Sequence, residues 1–179
     1  GVNAGGVDTL YGDQAATSTA SIANDGDDIQ LGDNGELDFT FGTDTDRNTL
    51  DLIRSYEDGA GGVDVISGNK GLDVAIGGTA GDQIYGDNAS ASAGADDLGD
   101  LLLGDNATIS LVAPGMAAGG DLKLVLSAAV ATIRTNDEEH PEYGGSDTIS
   151  GNAKGDIIAG GVQGDTLYGD ALSVVAALD

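Results

Sequence analysis

The 179-residue chain has no cysteine, no tryptophan, a single histidine and only two phenylalanines. A compact globule built round a large aromatic core is therefore not expected. The absence of cysteine removes any cysteine-based zinc spacing. It decides no compartment, because exported bacterial proteins and cytosolic proteins both do without the residue. Basic residues are scarce as well: six Lys and Arg stand against 31 Asp and Glu, a formal charge of −25. Nucleic acid and anionic membrane are poor partners for such a surface. The longest apolar run, Leu122 to Ile133, is too short to cross a bilayer and carries Lys123, so no direct membrane insertion is expected. No initiator methionine or signal peptide opens the chain, which is expected to be a segment of something longer.

What the chain does have is glycine, 31 residues of it, and aspartate, 26 against five glutamates. At this charge density self-repulsion opposes a compact state unless cations neutralise it. The aspartate bias matters because Asp is short and suits turns, whereas a solvated acidic helix would favour Glu.

Both residues recur in register. Gly59 to Asp87 reads GAGGVDVIS, GNKGLDVAI, GGTAGDQIY, then Gly-Asp. Glu142 to Asp170 reads EYGGSDTIS, GNAKGDIIA, GGVQGDTLY, then Gly-Asp, the same three nine-residue units 83 residues later. Position six of each unit is an aspartate: Asp64, Asp73 and Asp82, then Asp147, Asp156 and Asp165. Position eight is apolar: Ile66, Ala75, Ile84, Ile149, Ile158 and Leu167. A single unit, Asn3 to Tyr11, has Asp8 at position six and leads into Gly12-Asp13. Tyr11, Tyr85 and Tyr168 thus mark one point in three copies, 74 and then 83 residues apart. Degenerate units at 23–31 and 95–103 supply Asp28 and Asp100 and lead into Gly32-Asp33-Asn34 and Gly104-Asp105-Asn106. In the first of them Gln30 stands where an apolar residue is expected.

Variable inserts separate the units. Leu37, Phe39 and Phe41 alternate with polar residues, and Leu50, Leu52 and Arg54 come after the polar loop 42–48. This period-two pattern predicts a β-hairpin standing off the repeat core. The second insert begins with Ile109 and Leu111, turns at Pro114-Gly115 and resumes at Leu122, Leu124 and Leu126. Residues 128–133 are read as strand, because Arg134-Thr135 aligns with Arg54-Ser55. The organisation is therefore a partial repeat 1–11, a repeat 12–85 (insert about 35–58, core 59–85), a repeat 86–168 (insert about 107–141, core 142–168) and the start of another at 169–179.

Physically, the glycine-rich half of each unit must turn sharply, through backbone conformations with φ > 0. The three residues after the aspartate then form a short strand whose middle side chain faces inward. Two units make one coil, with turns on alternating sides. Units 59–67 and 77–85 are expected to stack, placing Asp64 near Asp82 and Asp147 near Asp165. Unit 68–76 is expected to stack on the residues from Gly86 onward, where Ala91 replaces the position-six aspartate; Asp87, Asn88 and Asp170 are then the candidate substitutes. Like charges at that distance repel unless a cation lies between them. Ca²⁺, a hard ion taking six to eight oxygens from carboxylates and carbonyls, suits the gap. The outer pairs of each triplet are expected to form the better sites, with Asp73 and Asp156 second. Asp13, Asp33, Asp105, Asp87 and Asp170, from the Gly-Asp triplets, are further candidate ligands or simple turn residues.

The pattern G-G-x-G-x-D-x-U-x resembles the RTX repeat of secreted bacterial proteins. The resemblance covers 3–13, 59–87 and 142–170 well, 23–34 and 95–106 loosely, and leaves out the inserts. It implies an all-β, right-handed parallel β-roll, here a β-solenoid with hairpin insertions. Glycine-turn carbonyls would complete several calcium sites per chain. It also implies type I secretion of the unfolded chain and folding outside the cell at millimolar calcium. Without calcium the chain should be disordered; binding and folding are then one process. The expected function is a calcium-rigidified extracellular segment of a large adhesin, surface-layer or filament protein. The alternatives are a secretion or folding module attached to an enzyme or toxin, or a glycan-binding module using the inserts. Chains or tandem copies stacked head to tail would form a filament.

Other motifs are weaker. Asp44 to Asn48 resembles the start of an EF-hand loop, but Thr49 and Ser55 replace its glycine and closing glutamate; it reads as a polar hairpin tip. His140, beside Pro141 in an acidic loop, has no nucleophile motif near it and reads as a solvated residue. No phosphate loop or nucleophile elbow occurs, and regular repetition argues against an isolated glycosidase carboxylate pair, so no enzyme is expected. The acceptor triplets at Asn88 and Asn106 read as chance. Ice binding would need a ladder at position seven, and Thr9, Val65, Val74, Gln83, Thr148, Ile157 and Thr166 form none.

Overall fold

A computed structural model describes residues 6–13, 26–40, 47, 50–56, 59–87, 98–111, 130–136 and 140–169. The described residues are all-β, with thirteen strands and no helix. In chain order these are β1 (Thr9–Tyr11), β2 (Ile29–Leu31), β3 (Gly35–Asp38), β4 (Leu52–Ser55), β5 (Val65–Ser67), β6 (Val74–Gly78), β7 (Gln83–Tyr85), β8 (Leu101–Asp105), β9 (Ala107–Leu111), β10 (Val130–Thr135), β11 (Thr148–Ser150), β12 (Ile157–Ala159) and β13 (Thr166–Tyr168).

Every nonapeptide contributes one strand, and successive units go to different sheets. The first sheet is parallel, in the order β1-β5-β7-β11-β13; the second is parallel, β2-β6-β8-β12. Position eight is in register across each sheet: Leu10, Ile66, Ile84, Ile149 and Leu167 in one, Gln30, Ala75, Leu102 and Ile158 in the other. Strand residues alternate between faces, so position eight of both sheets meets in one layer. Ile66, Ala75, Ile84, Leu102 and Ile149 are fully buried there, with Leu10 and Ile158 packed against them. Gln30 occupies the same layer, 6% exposed, its amide nitrogen donating to the Ser67 carbonyl at 3.3 Å.

Unit 68–76 stacks on Gly86-Asp87 through its turn alone, where the Asn69 amide donates to the Asp87 carbonyl at 2.7 Å. Its strand β6 lies between β2 and β8, so its neighbours are units 23–31 and 95–103. Chain adjacency yields here to side-chain fit. Leu102 fills the layer and Asp100 holds position six, whereas 88–97, which lies outside the described residues, offers Ala91 for that role.

The inserts also depart from expectation in one respect. Both are antiparallel hairpins, β3 with β4 and β9 with β10, and 130–135 is strand as read. They do not stand off the core. Strand β4 pairs with β9, merging them into one sheet, β10-β9-β4-β3. Leu50, Ile53, Ala107 and Ile109 from these inserts pack on Val74, Ile76, Leu101 and Leu103 of the second parallel sheet. The described residues thus form three layers with two hydrophobic seams. The outer hairpin strand profits least: Leu37 and Phe39 are 43% and 41% exposed, because β3 is the sheet's edge. Leu122 to Ser127, the loop 42–46 and Phe41 lie outside the described residues.

The turns need the backbone freedom that glycine supplies. Gly78 and Gly161, at position two of equivalent units, both have φ of 111°. Position four is as demanding: Ala80, Lys154 and Gln163 adopt φ of 76°, 79° and 73° without being glycine, as Asn69 and Asn152 do at position two with 81° and 71°.

Candidate functional site

Each position-six aspartate stands where a turn enters a strand, so the two parallel sheets line up two columns of carboxylates. In the first column the Asp8 amide donates to Asp64 Oδ1 at 2.7 Å, Asp64 to Asp82 at 2.8 Å, Asp82 to Asp147 at 2.7 Å and Asp147 to Asp165 at 3.0 Å. In the second, Asp28 donates to Asp73 at 2.8 Å, Asp73 to Asp100 at 2.9 Å and Asp100 to Asp156 at 3.1 Å. Oδ1 is therefore consumed by the fold itself. Asp64, Asp73, Asp82, Asp100 and Asp147 are all buried.

The second oxygen does something else. Oδ2 of Asp64, Asp73 and Asp82 is buried and has no hydrogen-bond partner. Each points into a gap left by the glycine that directly follows a strand's position nine, facing a carbonyl oxygen from the next unit along the sheet. A methyl group on Gly68 would collide with Asp73 Oδ2 and the Gly86 carbonyl; on Gly77, with Asp82 Oδ2 and the Gly104 carbonyl; on Gly32, with Asp64 Oδ2 and the Gly77 carbonyl. The same arrangement recurs at Gly12 with Asp28, Gly86 with Asp100, Gly104 with Asp147 and Gly151 with Asp156, while the gap at Gly160 meets the Asp165 carboxylate alone. The glycine directly after position nine was the signal that sequence reading passed over: it is present at every one of these points, and its reason is the gap.

Burial raises the proton affinity of Asp64, Asp73 and Asp82. Burial pushes the Asp73 carboxyl up to about 9; the Asp28 amide pulls it down, and the charges of Asp100, Asp28 and Asp13 add to the rise. Asp82 rises to about 8 for the same reason, with Asp147, Asp64 and Asp33 as its charged neighbours. Asp64 is raised as well, again mainly by burial. A buried carboxylate must be paired, protonated or metal-bound. Carboxylate plus carbonyl oxygen is the donor set of a hard cation, and a site of this kind fits Ca²⁺ better than a softer metal. Among the described residues no three acidic or histidine side chains converge on one point, so any ion here leans on backbone oxygen.

The Gly-Asp triplets divide. Both oxygens of Asp33 accept backbone amides, from Gly62 at 3.1 Å and Thr79 at 2.7 Å. Asp105 does the same with Gly145 at 2.7 Å and Val162 at 2.6 Å. Burial lifts Asp105 to about 6 against the pull of those two amides. These two residues staple adjacent turns. Asp87 accepts from the Ala153 amide at 3.2 Å, and Asp13 lies near Asp73. Asp170 lies outside the described residues. Asp73 is as well placed as Asp82, so the middle unit of the triplet is no poorer in geometry than the outer two.

The remaining motifs sit elsewhere. His140 is exposed, stacks on Tyr143 with ring centroids 4.8 Å apart and meets Glu142 at 3.3 Å. Asn106 is fully buried, its amide reaching Thr79 Oγ1 at 3.4 Å, so an acceptor triplet there is closed to modification in the fold. Most of the Asp44–Asn48 run, and Asn88, lie outside the described residues. No protein-family model, curated protein or solved structure matches the chain.

Proposed function

We propose that the two parallel sheets form a right-handed β-roll of the RTX kind, and that the chain is a calcium-rigidified segment of a large extracellular repeat protein. The hand comes from the near-universal right-handed crossover between parallel strands. One observation carries the reading: a buried carboxylate oxygen and a glycine carbonyl face each other across a glycine gap at coil after coil. The ions would be held by Oδ2 of Asp64, Asp82 and Asp147 in one column and Asp73 and Asp100 in the other, with the carbonyls of Gly77, Gly104, Gly160, Gly86 and Gly151. A bound ion would supply positive charge beside buried carboxylate. The role is structural rather than enzymatic, in an adhesin, surface layer or filament, and folding would come after export into millimolar calcium.

Circular dichroism with a calcium titration tests it. Strand signal should be lost in EGTA and return as calcium reaches roughly 10⁻⁴–10⁻³ M, the range of extracellular modules. Magnesium, which demands tighter octahedral geometry, should restore much less. A strand signal indifferent to EGTA would sink the proposal.

A further inference from the structure

Tyr11, Tyr85 and Tyr168, the residues marking three copies in the sequence, come together on one face. They hold position nine of β1, β7 and β13, and the registers place Ser67 of β5 and Ser150 of β11 between them. The outer row of the first parallel sheet therefore reads Tyr-Ser-Tyr-Ser-Tyr. Position eight faces the core, so this row faces away from it; among the described residues no strand layer covers that side. Tyr11 and Tyr168 are 39% and 38% exposed, while the two serines between the rings are each 1% exposed. The row thus alternates a large, partly exposed aromatic residue with a small buried one. Adjacent strands lie about 4.8 Å apart, so the rings repeat about every 9.6 Å.

The face is also neutral. Its second row, position seven, contains only Thr, Val and Gln. In a chain of charge −25 an uncharged strip admits a neutral partner and leaves an anionic one repelled by its surroundings. Flat aromatic rings at even spacing, edged by hydroxyls and an amide, suit a ligand that is flat, apolar on its faces and hydroxylated at its rim. An extended β-1,4-linked sugar chain has those properties, and it presents the same sugar face again after each disaccharide, close to two strand spacings.

We propose that this tyrosine row binds a neutral, extended β-1,4-linked polysaccharide, one ring under every second sugar. The site lies on the regular sheet, away from the hairpin inserts. It needs the folded sheet but not any particular route to it, so it can fail or succeed independently of the calcium reading.

The test is retention on suspended cellulose and chitin particles, with starch as the α-linked control and circular dichroism confirming strand content in the same buffer. Wild-type chain should be retained on the β-1,4 polymers and not on starch. Tyr85→Ser should weaken retention about tenfold, as expected for a central stacking contact, and the triple Tyr→Ser variant should abolish it. Tyr85→Phe, which keeps the ring, should bind nearly as well as wild type, so a serine variant that fails to fold does not end the test. No retention of folded wild-type chain overturns the proposal, as does equal retention on starch or loss of binding in Tyr85→Phe. Self-association that Tyr85→Ser abolishes, without polysaccharide retention, would assign the row to a second copy and overturn it too.

Discussion

At the scale of single residues, the two oxygens of each column aspartate have different employers, and substitutions should separate them. Asp82→Asn keeps an acceptor for the Asp64 amide but removes the charge facing the Gly104 carbonyl. A site filled at a hundred times its dissociation constant contributes about 2.7 kcal/mol; denaturant melts in saturating calcium should lose about that, and the loss should shrink as calcium is lowered towards the midpoint of folding. Asp105→Asn should behave oppositely. Both its oxygens hold amides, so calcium stoichiometry should stay constant while stability falls by roughly 1–3 kcal/mol. Acid provides a third check. Asp73 and Asp82 have folded pKa values raised to about 9 and about 8 above an ordinary carboxylate near 3.9. A raised value makes the ion-free fold most stable below the unfolded pKa, and that stability is lost as pH climbs through the folded one. In EGTA, therefore, strand signal absent at neutral pH should return in part near pH 4, read by circular dichroism. Its absence at every pH would contradict the burial of these groups. Finally, Ala80 holds φ of 76°; Ala80→Gly should stabilise by about 0.5–1 kcal/mol, since left-handed backbone costs an L-residue more than glycine's added freedom does.

At the scale of elements, stability rests on two seams of unequal regularity. Leu102 is fully buried between the parallel sheets and Ile109 between the second sheet and the hairpins. Leu102→Ala should cost about 2–5 kcal/mol in thermal or denaturant unfolding. Gln30→Leu should stabilise by about 1 kcal/mol, because the Gln30 Oε1 is buried without a partner. Much of this was legible beforehand. Aspartate at six and an apolar residue at eight are properties of one short unit, so reading a unit sufficed to place Ile66 inward and Asp64 at a turn. The partner of unit 68–76 was not legible by counting, because the register that places Ala75 against Leu102 reaches across an insertion. The hairpin layer was missed for a different reason. Its signal lay in the partner strands: Val74-Ala75-Ile76 and Leu101-Leu102-Leu103 are apolar at seven, eight and nine, the mark of a strand buried on both faces. The strands Thr148-Ile149-Ser150 and Thr166-Leu167-Tyr168 are polar at seven and nine, as a half-exposed sheet requires.

At the scale of the whole molecule, the gaps are not independent. Gly77 leaves the space into which Asp82 points and also lends its carbonyl to the gap shared by Gly32 and Asp64. Gly68 and Gly104 serve twice in the same way. An ion that orders one turn therefore preorganises the next, as expected of an array whose units touch only their neighbours. Calcium titrations monitored by circular dichroism or calorimetry should be sigmoidal, and a hyperbolic curve with gradual unfolding would argue for separate sites.

The aspartate columns also have a direction. Every amide in them donates to the carboxylate one coil nearer the C-terminus, and the gap after Gly68 is closed by the carbonyl of Gly86 rather than the reverse. Each unit is thus finished by its successor in the sheet. A chain cut after any unit would leave that unit's column amide without its acceptor, so C-terminal truncations should loosen the array from the cut end inward.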